Sequence, residues 1–124
     1  MKKILVTGCN GQLGRAIRKE YEGEEVSFIN TDVAEGDGVR ALDITDIKAV
    51  LALVEETRPD VIINCTGITD TEECEKNPEH AYRVNALGAR NLSIVARKCG
   101  SKIVQISTDD VFDGKSKKPY TEFD

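Results

Sequence analysis

Three glycines at three-residue spacing constrain this chain more than any other feature. Residues 8–14 are Gly-Cys-Asn-Gly-Gln-Leu-Gly, and they directly follow the apolar, branched run Lys3–Thr7. Such a run is typical of a parallel strand that is buried on both faces. The next apolar positions recur every four residues, as on one side of a helix, at Leu13, Ile17 and Tyr21. The glycine turn therefore joins a strand to a helix and predicts a βαβ unit.

The same alternation continues to the end of the chain. Four more strands are predicted, at Val26–Ile29, Val39–Leu42, Val61–Cys65 and Ile103–Ile106. Between them, helices are expected from Gly11 to Gly23, from a cap at Thr45 to Pro59, and from a cap at Asn77 to Gly100, with a polar loop at Thr69–Lys76. The pattern predicts an α/β fold, a Rossmann-like doubly wound parallel sheet with helices on both faces.

The glycine turn has the spacing of a dinucleotide-binding turn. The first glycine allows a sharp turn, the second lets the backbone approach a pyrophosphate, and the third lets the helix pack close to the strand. The helix N-terminus adds free N–H groups and a partial positive charge. We therefore expect a nicotinamide cofactor, NADPH or NADH, on Gly8, Asn10, Gly11, Gln12, Leu13 and Gly14. An ordinary glycine-rich βα turn is the alternative interpretation.

Two acidic positions follow the second and third predicted strands. Asp32 lies 18 residues after Gly14, near the place where an acidic side chain binds the adenosine ribose hydroxyls. Asn30 is a rival for this role, and a solvated loop aspartate is the alternative. Asp43 and Ile44 are expected beside the adenine, although a helix-capping segment would have the same sequence.

Polar residues farther along the chain are candidates for chemistry. Asn85 is the one polar residue on an apolar stripe of the last predicted helix, so we expect it to face the sheet and to be anchored to backbone or to a site. Ser107 and Thr108 follow the last strand and could offer a hydroxyl to a substrate carbonyl, or they could satisfy backbone groups. His80 is interpreted as a residue of the first helical turn and nothing more.

Charge and cysteine content exclude several classes of function. The net charge of -5 argues against general binding to nucleic acid or to an anionic membrane. The four cysteines show no Cys-x-x-Cys spacing and only one histidine accompanies them, so no metal site is expected. Buried, reduced thiols are typical of a cytoplasmic protein. No signal peptide and no membrane-spanning run is found.

Three segments carry a resemblance to a known family. They are the three-glycine turn, the helix residues Val84–Leu92 and the run Ile106–Gly114, which includes Ser-Thr-Asp-Asp-Val-Phe-Asp-Gly. Together they resemble the extended short-chain dehydrogenase/reductase superfamily, and within it the dTDP-4-dehydrorhamnose reductases. The resemblance covers the whole chain. It implies an oxidoreductase that uses NADPH or NADH to reduce the 4-keto group of a dTDP-linked deoxysugar, for dTDP-L-rhamnose biosynthesis.

The resemblance also implies roles for individual residues. Thr108 would be the hydroxyl member of a Thr-Tyr-Lys catalytic set, and Asn85 would organise the proton-relay region. The other matching positions would bind cofactor: Gly8, Gly11 and Gly14 at the pyrophosphate, Asp43 and Ile44 at the adenine, Cys65, Thr66 and Gly67 at the nicotinamide ribose, with Ser107 beside them.

The sequence departs from the family pattern in ways that leave alternatives open. The Tyr-x-x-x-Lys motif does not occur up to Asp124, and Asp110 stands where the family usually has tyrosine. We therefore expect residues 1–124 to be an incomplete NAD(P)-binding domain without a substrate domain, inactive alone, whose uncovered sheet edge favours a homo-oligomer. The alternatives are another sugar-nucleotide epimerase or dehydratase of the superfamily, and a non-catalytic regulatory subunit that binds cofactor or a partner protein.

Overall fold

The computed structural model describes residues 1–124 and contains the predicted α/β fold, a single five-stranded parallel sheet. Its strands lie in the order β3-β2-β1-β4-β5, and every neighbouring pair is parallel. The strand order reverses between β1 and β4, which is where nucleotides bind on such sheets. The strands are β1 (Lys2–Thr7), β2 (Val26–Asp32), β3 (Arg40–Ala41), β4 (Val61–Asn64) and β5 (Lys102–Gln105).

Helices connect the strands and cover both faces of the sheet. They are α1 (Gln12–Glu20), α2 (Ile47–Thr57), α3 (Thr71–Lys76), α4 (Pro78–Tyr82) and α5 (Ala89–Cys99). A π-helical segment, Arg83–Gly88, joins α4 to α5, and a short 3₁₀ turn, Asp109–Val111, follows β5. None of the helices is both long and apolar enough to cross a lipid bilayer.

The alternating side chains of the strands form two apolar clusters, one on each face. Leu5 and Ile62 pack with residues of α2 and α5, among them the fully buried Val50 and Leu92. On the opposite face, Ile4, Val6, Cys9 and Val39 form a smaller cluster. Tyr21, the residue after α1, meets Phe28 of β2 edge to face, with 6.4 Å between the ring centroids. Because β1 has apolar layers on both sides, Ile4 to Thr7 are all buried, which explains their unbroken apolar pattern.

The structure corrects the sequence prediction between β4 and α4. The segment Thr69–Lys76, expected to be a loop, contains helix α3. Its cap is Asp70, whose carboxylate accepts hydrogen bonds from the amides of Glu72 and Glu73. A helix held by its cap and first-turn acids needs no apolar stripe, so the periodicity of the sequence did not show it.

Other boundaries also differ from the prediction. The third strand is only Arg40–Ala41, and the single helix expected from Asn77 to Gly100 is interrupted by the π-helical segment. The predicted cap at Asn77 is confirmed, because its side chain accepts a hydrogen bond from the amide of His80. The predicted cap at Thr45 is wrong, since Asp46 accepts the free amides at the start of α2.

Candidate functional site

The three glycines of the turn differ in what a side chain would meet. Gly8 has a left-handed backbone (φ 61°), and a Cβ atom there would lie 2.9 Å from the backbone of Cys65. A Cβ at Gly14 would lie 2.7 Å from the Cα atom of Cys9, so this glycine permits α1 to pack against the turn. A Cβ at Gly11 would meet only the carbonyl oxygen of Gly8, at 3.3 Å. Gly11 is therefore the glycine of the turn where a Cβ atom meets the least obstruction, one tight contact rather than a clash.

Asp32 ties the glycine turn to the end of β2. Its carboxylate accepts hydrogen bonds from the amides of Asn10 (3.0 Å) and Val33 (2.8 Å). The Asp32 side chain also lines the cavity beside the turn, whereas Asn30, its rival for the ribose role, does not. The side-chain oxygen of Asn30 is instead buried without a hydrogen-bond partner. Of the two candidates, only Asp32 is placed to meet a ligand.

A buried polar network lies beneath the site, where three strands end. The hydroxyl of Thr7 donates to Asn64 Oδ1 (2.6 Å), which also accepts the amide of Thr66 (3.1 Å). Asn64 Nδ2 in turn donates to Gln105 Oε1 at 2.8 Å. Sequence analysis gave a role to Thr66 but not to Thr7, Asn64 or Gln105, although each of these three is a polar residue at the carboxyl end of a strand. The network fixes the ends of β1, β4 and β5 relative to one another.

Asn85 holds the segment that follows β4. Its side chain accepts the amide of Ile68 (2.8 Å) and donates to the carbonyl oxygen of the same residue (3.0 Å). The backbone anchor expected from the sequence is thus present. The expectation that Asn85 faces the sheet is wrong, because Asn85 is exposed while Asn91 is the buried polar residue of this helix. The π-helical segment contains an extra residue in its turn and so shifts the face on which Asn85 lies.

The loop between β3 and α2 is pinned to the helix that carries Asn85. The side-chain nitrogen of Asn91 (Nδ2) donates to the carbonyl oxygen of Ile44 at 2.9 Å. A Cβ at Gly88 would lie 2.6 Å from Ile44 Cδ1. The Ile44 side chain is therefore part of the apolar core and lines no cavity. Asp43 accepts the amide (2.9 Å) and the hydroxyl (2.7 Å) of Thr45, and both of these residues face the cavity.

Two adjoining cavities follow the carboxyl ends of the strands. The larger, about 570 Å³, extends from the glycine turn to α4, and the second, about 450 Å³, extends to the end of β5. Both are lined by residues 65–68, so together they form one groove across β1, β4 and β5.

The groove brings together most of the residues singled out from the sequence. The first cavity is lined by Gly8, Gly11, Asp32, Asp43, Cys65, Thr66 and Gly67, and the second by Cys65, Thr66, Gly67, Asn85, Ser107 and Thr108. Asn10, Gln12, Leu13, Gly14 and Ile44 line neither cavity. The sequence did not predict the lining residues Val33, Thr45, His80, Arg83 and Val84. His80 does lie in the first turn of α4, as predicted, but it also faces the groove.

Thr108 lies at the far end of the groove with its hydroxyl engaged locally. It accepts the amide of Asp110 (3.2 Å) and is 3.3 Å from Asp109 Oδ1, to which it donates. Asp110 itself is exposed. The Thr108 side chain thus caps the 3₁₀ turn, and its exposure leaves it open to a ligand in the second cavity.

Two cysteines lie at the base of the groove, Cys9 within the glycine turn and Cys65 directly after β4. Burial raises the pKa of Cys9, against the lowering effect of the Arg18 guanidinium, and burial also raises the pKa of Cys65. Both thiols are therefore protonated at neutral pH and are weak nucleophiles. They contribute apolar surface beneath the groove rather than a reactive group.

Comparison with known families gives one match over the whole chain. The model described as RmlD substrate binding domain matches residues 1–124. A dTDP-4-dehydrorhamnose reductase from Streptomyces griseus is 39% identical over 95% of this chain and 37% of the relative. Methionine adenosyltransferase 2 subunit beta from Xenopus laevis is 34% identical over 98% of this chain and 36% of the relative. The chain spans about two fifths of the length of the relatives that it matches.

Solved structures share the fold closely. A dTDP-4-dehydrorhamnose reductase from Clostridium acetobutylicum superposes with a TM-score of 0.89 at 50% identity, over 98% of this chain and 41% of that one. The enzyme of the same name from Bacillus anthracis, solved in complex with NADP, gives a TM-score of 0.86 at 38% identity, over 100% of this chain and 42% of that one.

Proposed function

The chain belongs to the RmlD substrate binding domain family, and from that premise we propose that it is the cofactor-binding part of an NAD(P)H-dependent reductase of a dTDP-4-keto-6-deoxysugar. The observation that carries the proposal is the continuous groove from the glycine turn to Thr108. Relatives that bear the name dTDP-4-dehydrorhamnose reductase support the substrate class, and the NADP complex of one of them supports the cofactor class.

The groove offers a separate site for each part of a dinucleotide. We assign the pyrophosphate to Gly8 and Gly11, the adenosine ribose to Asp32, and the adenine to the wall that includes Asp43. The nicotinamide would then lie over residues 65–67, where the Asn64 side chain accepts the amide of Thr66, and the Asn85 side chain accepts the amide of the adjoining Ile68. When bound, the cofactor supplies a hydride. The order of these sites along the groove directs the reactive ring toward Thr108.

The chain's own residues position the substrate rather than supply its proton. We propose that the Thr108 hydroxyl donates a hydrogen bond to the keto oxygen of the sugar, after leaving the carboxylate of Asp109. Asn85 acts through Ile68, whose amide and carbonyl it holds at the border of the two cavities. A threonine hydroxyl is too weak an acid to protonate an alkoxide at neutral pH. The proton must come from another group, and residues 1–124 contain no Tyr-x-x-x-Lys pair.

The proposal is tested by titrating the chain with NADPH and NADH. The reduced nicotinamide is excited at wavelengths where protein side chains do not absorb, so its fluorescence can be followed directly. We expect both cofactors to bind weakly and their emission to increase on binding. An excess of the non-fluorescent NADP⁺ or NAD⁺ should reverse the increase by competition. If neither cofactor binds to protein whose circular dichroism shows the folded state, the proposed function is wrong.

Asp32 should favour NADH over NADPH. A phosphate on the ribose 2′-oxygen would bring negative charge against the carboxylate, so NADH should bind wild type at least as well as NADPH. Asp32→Asn removes the charge but keeps one acceptor oxygen, which can still accept the amide of Asn10. We expect the affinity ratio to shift roughly tenfold toward NADPH in the Asp32→Asn chain.

Asp32→Ala, which also removes the acceptor of the Asn10 amide, serves as the comparison for Asp32→Asn. It should weaken the binding of both cofactors by loosening the turn. Much tighter binding of NADPH than of NADH to wild type would show that Asp32 does not face the ribose.

A non-catalytic regulatory subunit is the second candidate function. The relative named methionine adenosyltransferase 2 subunit beta favours it, and Asp110 in the position usual for tyrosine is compatible with it. The two candidates differ in whether a Tyr-x-x-x-Lys motif accompanies this chain in the longer parent protein. Turnover of a dTDP-4-keto-6-deoxysugar by the parent would decide for the reductase.

We place the proposed reaction in the cytoplasm. All four cysteines of the chain are free. Two of them, Cys9 and Cys65, lie just beyond the ends of the neighbouring strands β1 and β4, in the same apolar cluster. A reducing compartment maintains thiols in that form.

A further inference from the structure

The cavity beside the glycine turn is lined by one permanent positive charge, Arg83, and by two carboxylates. Both carboxylates already have donors from their own loops. Asp32 accepts two backbone amides, and Asp43 accepts the amide and hydroxyl of Thr45. Because these interactions partly neutralise the carboxylates, an anionic ligand meets less repulsion than two free aspartates would cause.

Arg83 has hydrogen-bond donors to spare. A guanidinium carries five N–H groups, and the only bond that Arg83 makes uses Nη2, at 2.9 Å from Glu79 Oε1. This pair is exposed, with 56% of the Arg83 side chain and 82% of the Glu79 side chain accessible, so it adds little to stability. Glu79 orients the guanidinium and leaves its other edge available to a ligand.

Arg83 also lies where the helix departs from α-helical geometry. Arg83 is the first residue of the π-helical segment, and an extra residue in a turn rotates the following helix by about 100° relative to an uninterrupted α-helix. Arg83 and Val84 line the first cavity, while Asn85, the next residue, reaches Ile68 and lines the second. Such π-helical turns occur frequently at functional sites.

We propose that Arg83 binds a phosphate ester on the adenosine ribose and is thus the residue that admits NADPH to a site where Asp32 favours NADH. The inference rests on the proposed function and deepens it. Arginine pairs with phosphate through two parallel N–H bonds, which a single lysine ammonium cannot reproduce. Arg83 and Asp32 then act in opposite directions on the same 2′ position.

The test measures dissociation constants of NADPH and NADH for wild type and three variants. Arg83→Ala should weaken NADPH roughly tenfold and NADH less than about twofold. Arg90→Ala removes an exposed arginine of α5, the helix that follows the π-helical segment. Arg90 lines neither cavity, so its removal should change neither dissociation constant. Glu79→Gln breaks the ion pair but keeps the arginine, and NADPH should bind this variant at least as tightly as wild type.

The possible failures can be told apart. If Arg83→Ala weakens both cofactors equally, or weakens neither, Arg83 does not recognise the 2′-phosphate and this inference is overturned while the proposed function stands. A loss in Glu79→Gln as large as in Arg83→Ala also overturns it, because the ion pair itself would then be the cause. If wild type binds neither cofactor, the proposed function fails and the inference fails with it.

Discussion

Replacing Gly11 with valine should abolish binding of NADPH and NADH while leaving the chain folded. We expect a loss of affinity of at least roughly 100-fold, measured by calorimetric titration. The reason lies in the direction of the missing side chain. A Cβ at Gly11 meets only the carbonyl oxygen of Gly8, at a tight 3.3 Å, so the turn has to shift by only a few tenths of an ångström to accept it. Gly11 lines the cavity, and the added side chain would occupy the space that the pyrophosphate needs.

Gly14→Ala is the matched control, because it changes a glycine of the same motif but should destabilise the fold. Its Cβ would lie 2.7 Å from both the Cα atom of Cys9 and the carbonyl oxygen of Gly8. These are backbone atoms of the turn, so strain cannot be relieved by a side-chain rotation, and we expect a loss of about 3 kcal/mol in the free energy of unfolding. Circular dichroism during urea denaturation would measure it.

An unchanged affinity in folded Gly11→Val would show that no pyrophosphate lies against the turn. Unfolding of Gly11→Val at the same urea concentration as Gly14→Ala would show instead that the two glycines have the same structural role. Either result contradicts the distinction drawn from the structure.

Residues 1–124 should show no oxidation of NADH or NADPH with a dTDP-4-keto-6-deoxysugar, whereas a longer protein that adds a Tyr-x-x-x-Lys motif should be active. Within that longer protein, Thr108→Val should lower kcat at least roughly 100-fold with little change in cofactor affinity. The hydroxyl of Thr108 is exposed at the end of the groove, and valine has nearly the same shape but cannot donate a hydrogen bond.

Thr108 also caps the 3₁₀ turn by accepting the amide of Asp110, so the effect of Thr108→Val needs a second variant. Thr108→Ser keeps both the cap and the donor and should retain most of the activity. Equal loss in Thr108→Ser and Thr108→Val would assign the residue a purely structural role. Turnover by residues 1–124 alone would overturn the view that the proton donor lies outside them, and an inactive longer protein that has the motif would favour the regulatory subunit.

The sequence by itself determined the fold and the position of the main site. Buried parallel strands need long apolar runs, and helices that cover them need an apolar stripe, so the order of elements could be read from local pattern alone. The glycine turn was recognisable because its three glycines stand between a strand and a helix, and the structure gives Gly8 and Gly14 the close backbone contacts expected of them. The predicted alternation of strands and helices is confirmed, and five parallel strands share one sheet.

Only the tertiary structure decided which side chains share the groove. His80 and Arg83 are distant in sequence from the turn, and they meet it in the cavity because α4 and the start of the π-helical segment lie across the groove from the turn. Helix α3 escaped prediction because it is stabilised by an Asp70 cap rather than by an apolar face. The network around Asn64 joins residues from three strands. Contacts between residues far apart in the chain depend on strand order, register and helix phase, which no local pattern encodes.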